Sequence, residues 1–366
     1  MLRRHSRSTG YHLVGVILAG MAAMLIGGPA SAAQDNTLYI FNWNEYLNPK
    51  IVDQFEAKYD VKVVQNYYAS NAEMISKLHA GGSSQYDIVV PSNYQIPKMI
   101  HQGLLHKLDH DKIPNLKNLL PNFVNPPFDP GNQYTAAYQW GTTGLAYDAS
   151  KIKDAPQSWG ILFDPKVNPD YPFALIGGSG RDLFEAACAY LGRGFACTKK
   201  DDWVAAAKLL ISTKKRKNMT GFVDGTPALR QLSRGVISAG FAYNGDFRKS
   251  AKEDPDTFKN LRYIIPKEGS ELWVDNMAVP ANAPHPDLAM KFINFILDPK
   301  IGAELSNWTM YATPNAAARP MLSDAFKSHI INPTEDELKR LHFTPAIAGE
   351  QQKTFNELWQ QVQQSQ

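Results

Sequence analysis

An alternation of elements near the start of the chain most constrains what it can fold into. Residues 38–41 form an apolar run (Leu38, Ile40 and Phe41, with Tyr39 between them) that reads as a buried strand. Residues 49–59 carry Ile51, Val52, Phe55 and Tyr59 at helical spacing behind Pro49. Residues 61–67 read as a second strand. Ser70 or Asn71 can cap a helix to about Ala80 with Glu73 in its first turn, and residues 87–90 make a third, apolar strand. Strand–helix–strand–helix–strand at this spacing predicts an α/β fold, a mostly parallel sheet with helices on both faces. Ligands of such sheets sit beyond the carboxyl ends of the strands. The first strand ends there in Trp43-Asn44-Glu45-Tyr46 and the third in Ser92-Asn93-Tyr94.

A second α/β unit follows. Its helices fall at about 181–191, 202–213 and 226–234, and its strands near 219–223, 236–243 and 261–265. Between the units, residues 134–147 form a long β stretch in which Gly141 and Gly144 would ease a hinge. Residues 275–280 return as a strand, with helices at 286–297 and 300–308 after it. A chain that crosses between two α/β units and crosses back builds a cleft that closes on small ligands. The glutamine-rich end, residues 360–366, is expected to fray.

Residues 1–32 have the pattern of an export signal. Arg3, Arg4 and Arg7 precede an apolar run at 13–26, and Ala30-Ser31-Ala32 is a cleavage signature. The product is therefore expected in the periplasm. Removing residues 1–32 takes away three arginines and no acid, so 38 basic residues fall to 35 against 35 acidic ones. A neutral chain gives no support to nucleic acid as a partner. Cys188 and Cys197 are the only cysteines; an oxidising compartment permits a disulfide, and a free pair is equally open from the sequence.

Most recognisable motifs are weak here. Lys214-Lys215-Arg216-Lys217 reads as a solvated helix end, and Gly177-Gly178-Ser179-Gly180 could cradle an anion, although Asp182 would repel it. His101, His106 and His110 lie in a polar region without metal-ligand spacing. Neither a metal nor a cofactor site is expected, and no nucleophile stands beside a base. The informative feature is a repeated placement of acids beside aromatic rings at strand ends: Glu45 with Trp43 and Tyr46, Asp246 with Tyr243, Asp275 with Trp273, and Tyr311 further on. Carboxylates converging on one cleft repel each other unless the ligand is a cation. Aromatic walls add cation–π attraction of about 0.5–2 kcal/mol per ring. They also cover methylenes, worth about 0.8 kcal/mol each when buried. A hydrolase using Asp246 and Asp275 as acid and base is the rival reading.

Phe-Asn-Trp-Asn-Glu-Tyr, Tyr-Asp-Ile-Val-Val-Pro-Ser, Gln-Trp-Gly-Thr-Thr-Gly, Ile-Pro-Lys-Glu-Gly and Trp-Val-Asp-Asn-Met-Ala-Val-Pro occur in that order through nearly the whole exported chain. This combination resembles the periplasmic spermidine/putrescine-binding proteins of ABC importers. The resemblance implies a two-lobed periplasmic-binding-protein fold of type II, with a polyamine between the lobes and a hinge of two crossovers. It implies an N-terminal lobe of residues 33–141 plus 277–330 and a C-terminal lobe of residues 142–276 plus 331–366. Carried over by position, Trp43, Asn44, Glu45 and Tyr46 line one wall, and Ser92 and Tyr94 stand at the next strand end. Glu45, Asp182, Asp246 and Asp275 hold amines, and Tyr243, Trp273 and Tyr311 cover the methylenes. Asn44 stands where Ser or Thr is usual, and Asp182 where Glu is. Four acids favour spermidine, with three charges, over putrescine, with two. The implied partners are the polyamine and the importer's permease subunits in the inner membrane, with the receptor a monomer. A sensor subunit reporting to a membrane receptor shares the same ligand chemistry.

Overall fold

The computed structural model describes residues 36–178 and 180–365; the expected export signal at 1–32 lies outside them. Eleven strands are present among the described residues: β1 (Thr37–Trp43), β2 (Lys62–Tyr68), β3 (Ile88–Val89), β4 (Leu105–His106), β5 (Thr135–Asp148), β6 (Phe173–Leu175), β7 (Met219–Phe222), β8 (Ala239–Tyr243), β9 (Leu261–Ile264), β10 (Ser270–Pro280) and β11 (Leu341–His342). Eight of them run in the order β2-β1-β3-β10-β5-β8-β6-β7. β1 lies parallel to both β2 and β3, and β6 lies parallel to both β7 and β8. These are the two parallel units that the alternating pattern predicts.

The antiparallel pair β5–β10 carries the chain between the units. At one end Ala278 of β10 pairs with Val89 of β3; at the other, Thr143 to Tyr147 of β5 pair with β8. β10 begins at Ser270, five residues before the sequence pattern places it, because Glu271 interrupts its apolar reading although it is buried. A register shift falls between Asp275 and Asn276. Such bulges re-aim a side chain beside a site.

Two large apolar cores give the protein its two lobes. In one, Leu38 and Ile40 of β1 meet Ile51 and Phe55 of the helix Pro49–Tyr59 and Phe292 and Ile293 of the helix Pro286–Ile296. In the other, Phe173 and Phe241 are packed with Trp159, Phe184, Trp203 and Phe355. Each fully buried side chain of this kind contributes about 1.5–3 kcal/mol. Tyr243, at the end of β8, packs against both cores.

Three expectations change. The glutamine-rich end does not fray before Gln364: a helix spans Gly349–Gln364 and buries Phe355, Trp359 and Val362 on one face. The Lys214 ammonium closes that helix by donating to the carbonyls of Val362, Gln363 and Ser365 at 3.1, 2.6 and 2.5 Å. The basic run is accordingly more than a solvated helix end, since the Arg216 guanidinium lies 4.6 Å from the Phe173 ring and donates to Leu162 O at 2.7 Å. The cysteine pair resolves too. Cys188 and Cys197 are disulfide-bonded with Cα atoms 6.3 Å apart, fastening the helix Arg181–Tyr190 to the loop that follows it.

Candidate functional site

Strand periodicity sets one side of the candidate site. Alternate residues of β10 share a face, so Glu271, Trp273 and Asp275 stand in a row, an acid on either side of an indole. Gly141, opposite Trp273 on β5, makes room for the ring: a Cβ there would lie 2.5 Å from Trp273 Cζ2.

Asp275 is the best-held acid. Its carboxylate accepts from the Tyr46 hydroxyl at 2.8 Å and the Ser92 hydroxyl at 2.6 Å. Burial pushes its pKa up to about 7; the two hydroxyls pull it down, and the charge of Glu271 adds a little upward push. Its donors are themselves fixed. The Tyr46 carbonyl accepts from Tyr138 at 2.9 Å and Gln139 at 3.0 Å. Asn71, at the start of the helix Asn71–His79, donates to Ser92 Oγ at 3.0 Å and to the Tyr94 hydroxyl at 3.2 Å. Tyr46 and Ser92 thus orient an acid. Asn71, which the sequence reading treats only as a possible helix cap, holds both strand-end residues of the 92–94 segment.

Trp43 donates from Nε1 to Val90 O at 3.0 Å and packs edge-on to Tyr68 at 4.6 Å, which fixes it between β1 and β3. Asn44 and Glu45 are exposed in the turn after β1. Glu45 has φ 54°, a left-handed conformation that costs a side-chain-bearing residue about 1–2 kcal/mol. Its carboxylate meets Lys249 Nζ of the other lobe at 3.3 Å.

The facing wall comes from a helix that the sequence reading does not place, Asn244–Glu253. Asp246 in its first turn accepts from the Tyr311 hydroxyl at 2.7 Å and the Thr226 hydroxyl at 3.1 Å. Burial raises its pKa, against the pull of those two hydroxyls and the Lys249 charge. Gly245 lets Tyr311 come close: a Cβ there would fall 2.3 Å from the ring. Tyr311 also packs edge-on to Trp273 at 5.0 Å and Tyr46 at 5.5 Å, and Tyr243 meets Trp273 edge-on at 6.2 Å. The predicted aromatic residues Tyr46, Tyr243, Trp273 and Tyr311 are therefore one contiguous cluster, with Asp246 and Asp275 hydrogen-bonded to it.

Residues 50–334 match the bacterial extracellular solute-binding protein family. The chain belongs to that family. Among its relatives, the spermidine/putrescine-binding periplasmic protein of Salmonella typhimurium is 35% identical over 84% of this chain and 86% of its own length. The putrescine-binding periplasmic protein SpuD of Pseudomonas aeruginosa is 32% identical over 96% of this chain and 98% of its own. Among solved structures, the spermidine/putrescine substrate-binding protein PotD of Streptococcus pneumoniae superposes with a TM-score of 0.75 at 28% identity, over 90% of this chain and 98% of that one. These relatives are named as binding proteins, not enzymes.

The solute-binding protein holds a second acidic group that sequence reasoning touched only through Asp182. Asp182, half-buried, is hydrogen-bonded to Glu271, and burial together with the charges of Glu271, Glu185 and Asp224 raises its pKa well above the carboxylate range. Glu271 accepts from Thr143 at 2.6 Å, and the Thr344 hydroxyl lies 2.9 Å from Glu271 and 2.7 Å from Glu185. One hydroxyl has one proton to give. It serves one of the two carboxyls at a time. Glu185, paired with Arg181 at 2.9 Å, is pushed up to about 7 by burial despite that cation. Glu271 escaped the sequence reading because its strand was placed too late to include it.

The glycine-rich turn takes no external anion through the amides described: the backbone N–H groups of Gly177 and Gly178 both donate to the Asp224 carboxylate. Among the described residues, no group of three His, Cys, Asp or Glu side chains has metal-binding geometry.

Proposed function

We propose that this protein is an exported receptor that closes on a polyamine, putrescine or spermidine, and delivers it to the permease of an ABC importer. One observation carries the reading. Asp275 and Asp246 are hydrogen-bonded to the aromatic cluster, and among the described residues neither forms a salt bridge; their partners are hydroxyls. A buried acid without a cation pays heavily for ionisation. A ligand with ammonium groups at both ends of a methylene chain supplies the missing charges. Its methylenes then lie on Trp273, Tyr243 and Tyr311, with Trp43 and Tyr94 at the rim.

The names of the relatives, which bind putrescine or spermidine, support the same ligand class. The periplasmic location, the cleavable signal at 1–32 and the monomeric receptor belong to the proposal. So do the lobe boundaries at 33–141 with 277–330 and at 142–276 with 331–366. Closure couples to delivery because a ligand that touches both lobes favours the closed form by its difference in affinity.

A thermal-shift series with putrescine, cadaverine, spermidine and spermine tests the reading. A ligand bound only by the folded state raises the melting temperature as its concentration rises. At least one of the four is expected to do so; no shift with any of them overturns the assignment. Co-purification with a permease, and not with a signalling receptor, separates transport from sensing.

A further inference from the structure

We infer that Lys249 is a selectivity residue: its side chain occupies the Glu45 end of the cleft as a tethered amine and biases the receptor toward diamines over triamines. The inference rests on the polyamine reading above and concerns which member of the class is taken.

Lys249 lies one helical turn beyond Asp246 on the helix Asn244–Glu253, on the same face. From there it reaches across to the other lobe. Its ammonium is 3.3 Å from Glu45 Oε2 and 4.4 Å from the centroid of the Trp308 ring. Trp308 belongs to the helix Pro299–Thr309, whose Ile301 and Leu305 sit in the same core as Leu38 and Ile40 of β1. A carboxylate and an aromatic ring around an ammonium are the same pair of groups that Asp246 with Tyr311 and Asp275 with Trp273 present elsewhere in the cleft. The lysine side chain is chemically an aminobutyl group, the unit from which putrescine is made. The protein thus carries its own aminobutyl cation and has seated it on Glu45.

Glu45 is presented at a backbone cost, in the left-handed region. Its side chain keeps 55% of its exposure and that of Lys249 keeps 20%, so the lysine is the more enclosed partner. With Glu45 already neutralised and Asp182 hydrogen-bonded to Glu271, Asp246 and Asp275 remain for the two ammoniums of a diamine. A third ammonium arriving at Glu45 must displace Lys249, which would then stand as a free cation beside the ligand. This reverses the preference for spermidine that a count of four acids suggests, because Glu45 is spent on the chain's own lysine and Asp182 is bonded to Glu271, which leaves two.

The test is calorimetric titration of putrescine and spermidine into the wild-type protein, Lys249→Gln and the double variant Lys249→Gln/Glu45→Gln. Lys249→Gln is expected to raise the ratio of spermidine to putrescine affinity at least tenfold while leaving putrescine within about threefold. The double variant, lacking the carboxylate, is expected to return the ratio to within about threefold of wild type, which identifies the coupling as one between these two residues. A ratio unchanged in Lys249→Gln, with putrescine still bound, overturns the inference. Failure of the wild-type protein to bind either amine overturns the polyamine reading beneath it.

Discussion

Asp275 is where charge and burial meet, and where the proposed function seats an ammonium. Two hydroxyls hold it in the lobe that supplies Tyr46 and Ser92, yet burial keeps its pKa near 7. For an acid the raised value has a definite sign. The ligand-free protein has the full benefit of a neutral Asp275 below about pH 4, the ordinary range, and loses it as pH rises through about 7. An ammonium beside the carboxylate reverses the penalty, so polyamine affinity is expected to increase between about pH 5 and 8, with proton release on binding below pH 7. Asp275→Asn keeps the side chain's size and removes its charge. It is expected to weaken binding at least tenfold, about 1.4 kcal/mol, and to flatten this part of the pH profile. Calorimetry giving equal affinity, or an unaltered pH profile, contradicts that role. The importance of Asp275 was legible in the sequence from its two-residue spacing to Trp273. Its donors were less so: Tyr46 and Ser92 were expected on the wall, but nothing local says that both turn toward an acid 229 and 183 residues further along the chain. The Asn71 support and the Lys249 partner of Glu45 are long-range pairings of the same kind, which periodicity does not encode.

The helix Asn244–Glu253 decides how the walls meet. It brings Asp246 to Tyr311 and Lys249 to Glu45 through neighbouring turns. Its second residue, Gly245, is what lets the Tyr311 ring lie against its backbone. Gly245→Ala would place a Cβ 2.3–2.6 Å from that ring. Overpacking of this kind costs about 1–3 kcal/mol. Because the ring that must shift also holds Asp246, the melting temperature without ligand is expected to fall and polyamine affinity to drop roughly tenfold. A lower melting temperature with unchanged affinity contradicts it. The helix itself was missed because Asn244-Gly245-Asp246 reads as a turn and the segment has little apolar periodicity beyond Phe247. The long crossing strand β5, by contrast, was read within one residue at each end, since fourteen residues of β-compatible sequence leave little choice. Its partner β10 was cut short because buried Glu271 looks like loop to a reading that equates charge with solvent.

At the scale of the whole molecule, the alternating pattern at the start and the two crossings were enough to predict an α/β protein of two lobes. Spatially, the residues chosen from the sequence divide into a connected cluster of Tyr46, Ser92, Tyr243, Asp246, Trp273, Asp275 and Tyr311, the rings Trp43 and Tyr94 held by Val90 and Asn71, an exposed turn of Asn44 and Glu45, and Asp182 bonded within a separate acidic group with Glu271 and Glu185. What joins them is an excess of carboxyls over cations around a set of aromatic rings, and the account stands on that excess being met by the ligand. The most direct measurement is calorimetric titration of putrescine beside 1,4-butanediol, which has the same four-carbon chain with hydroxyls in place of ammoniums. The account predicts one putrescine bound per chain and no measurable binding of the diol at the same concentrations. Equal affinity for the two, or no heat from either putrescine or spermidine, would contradict it.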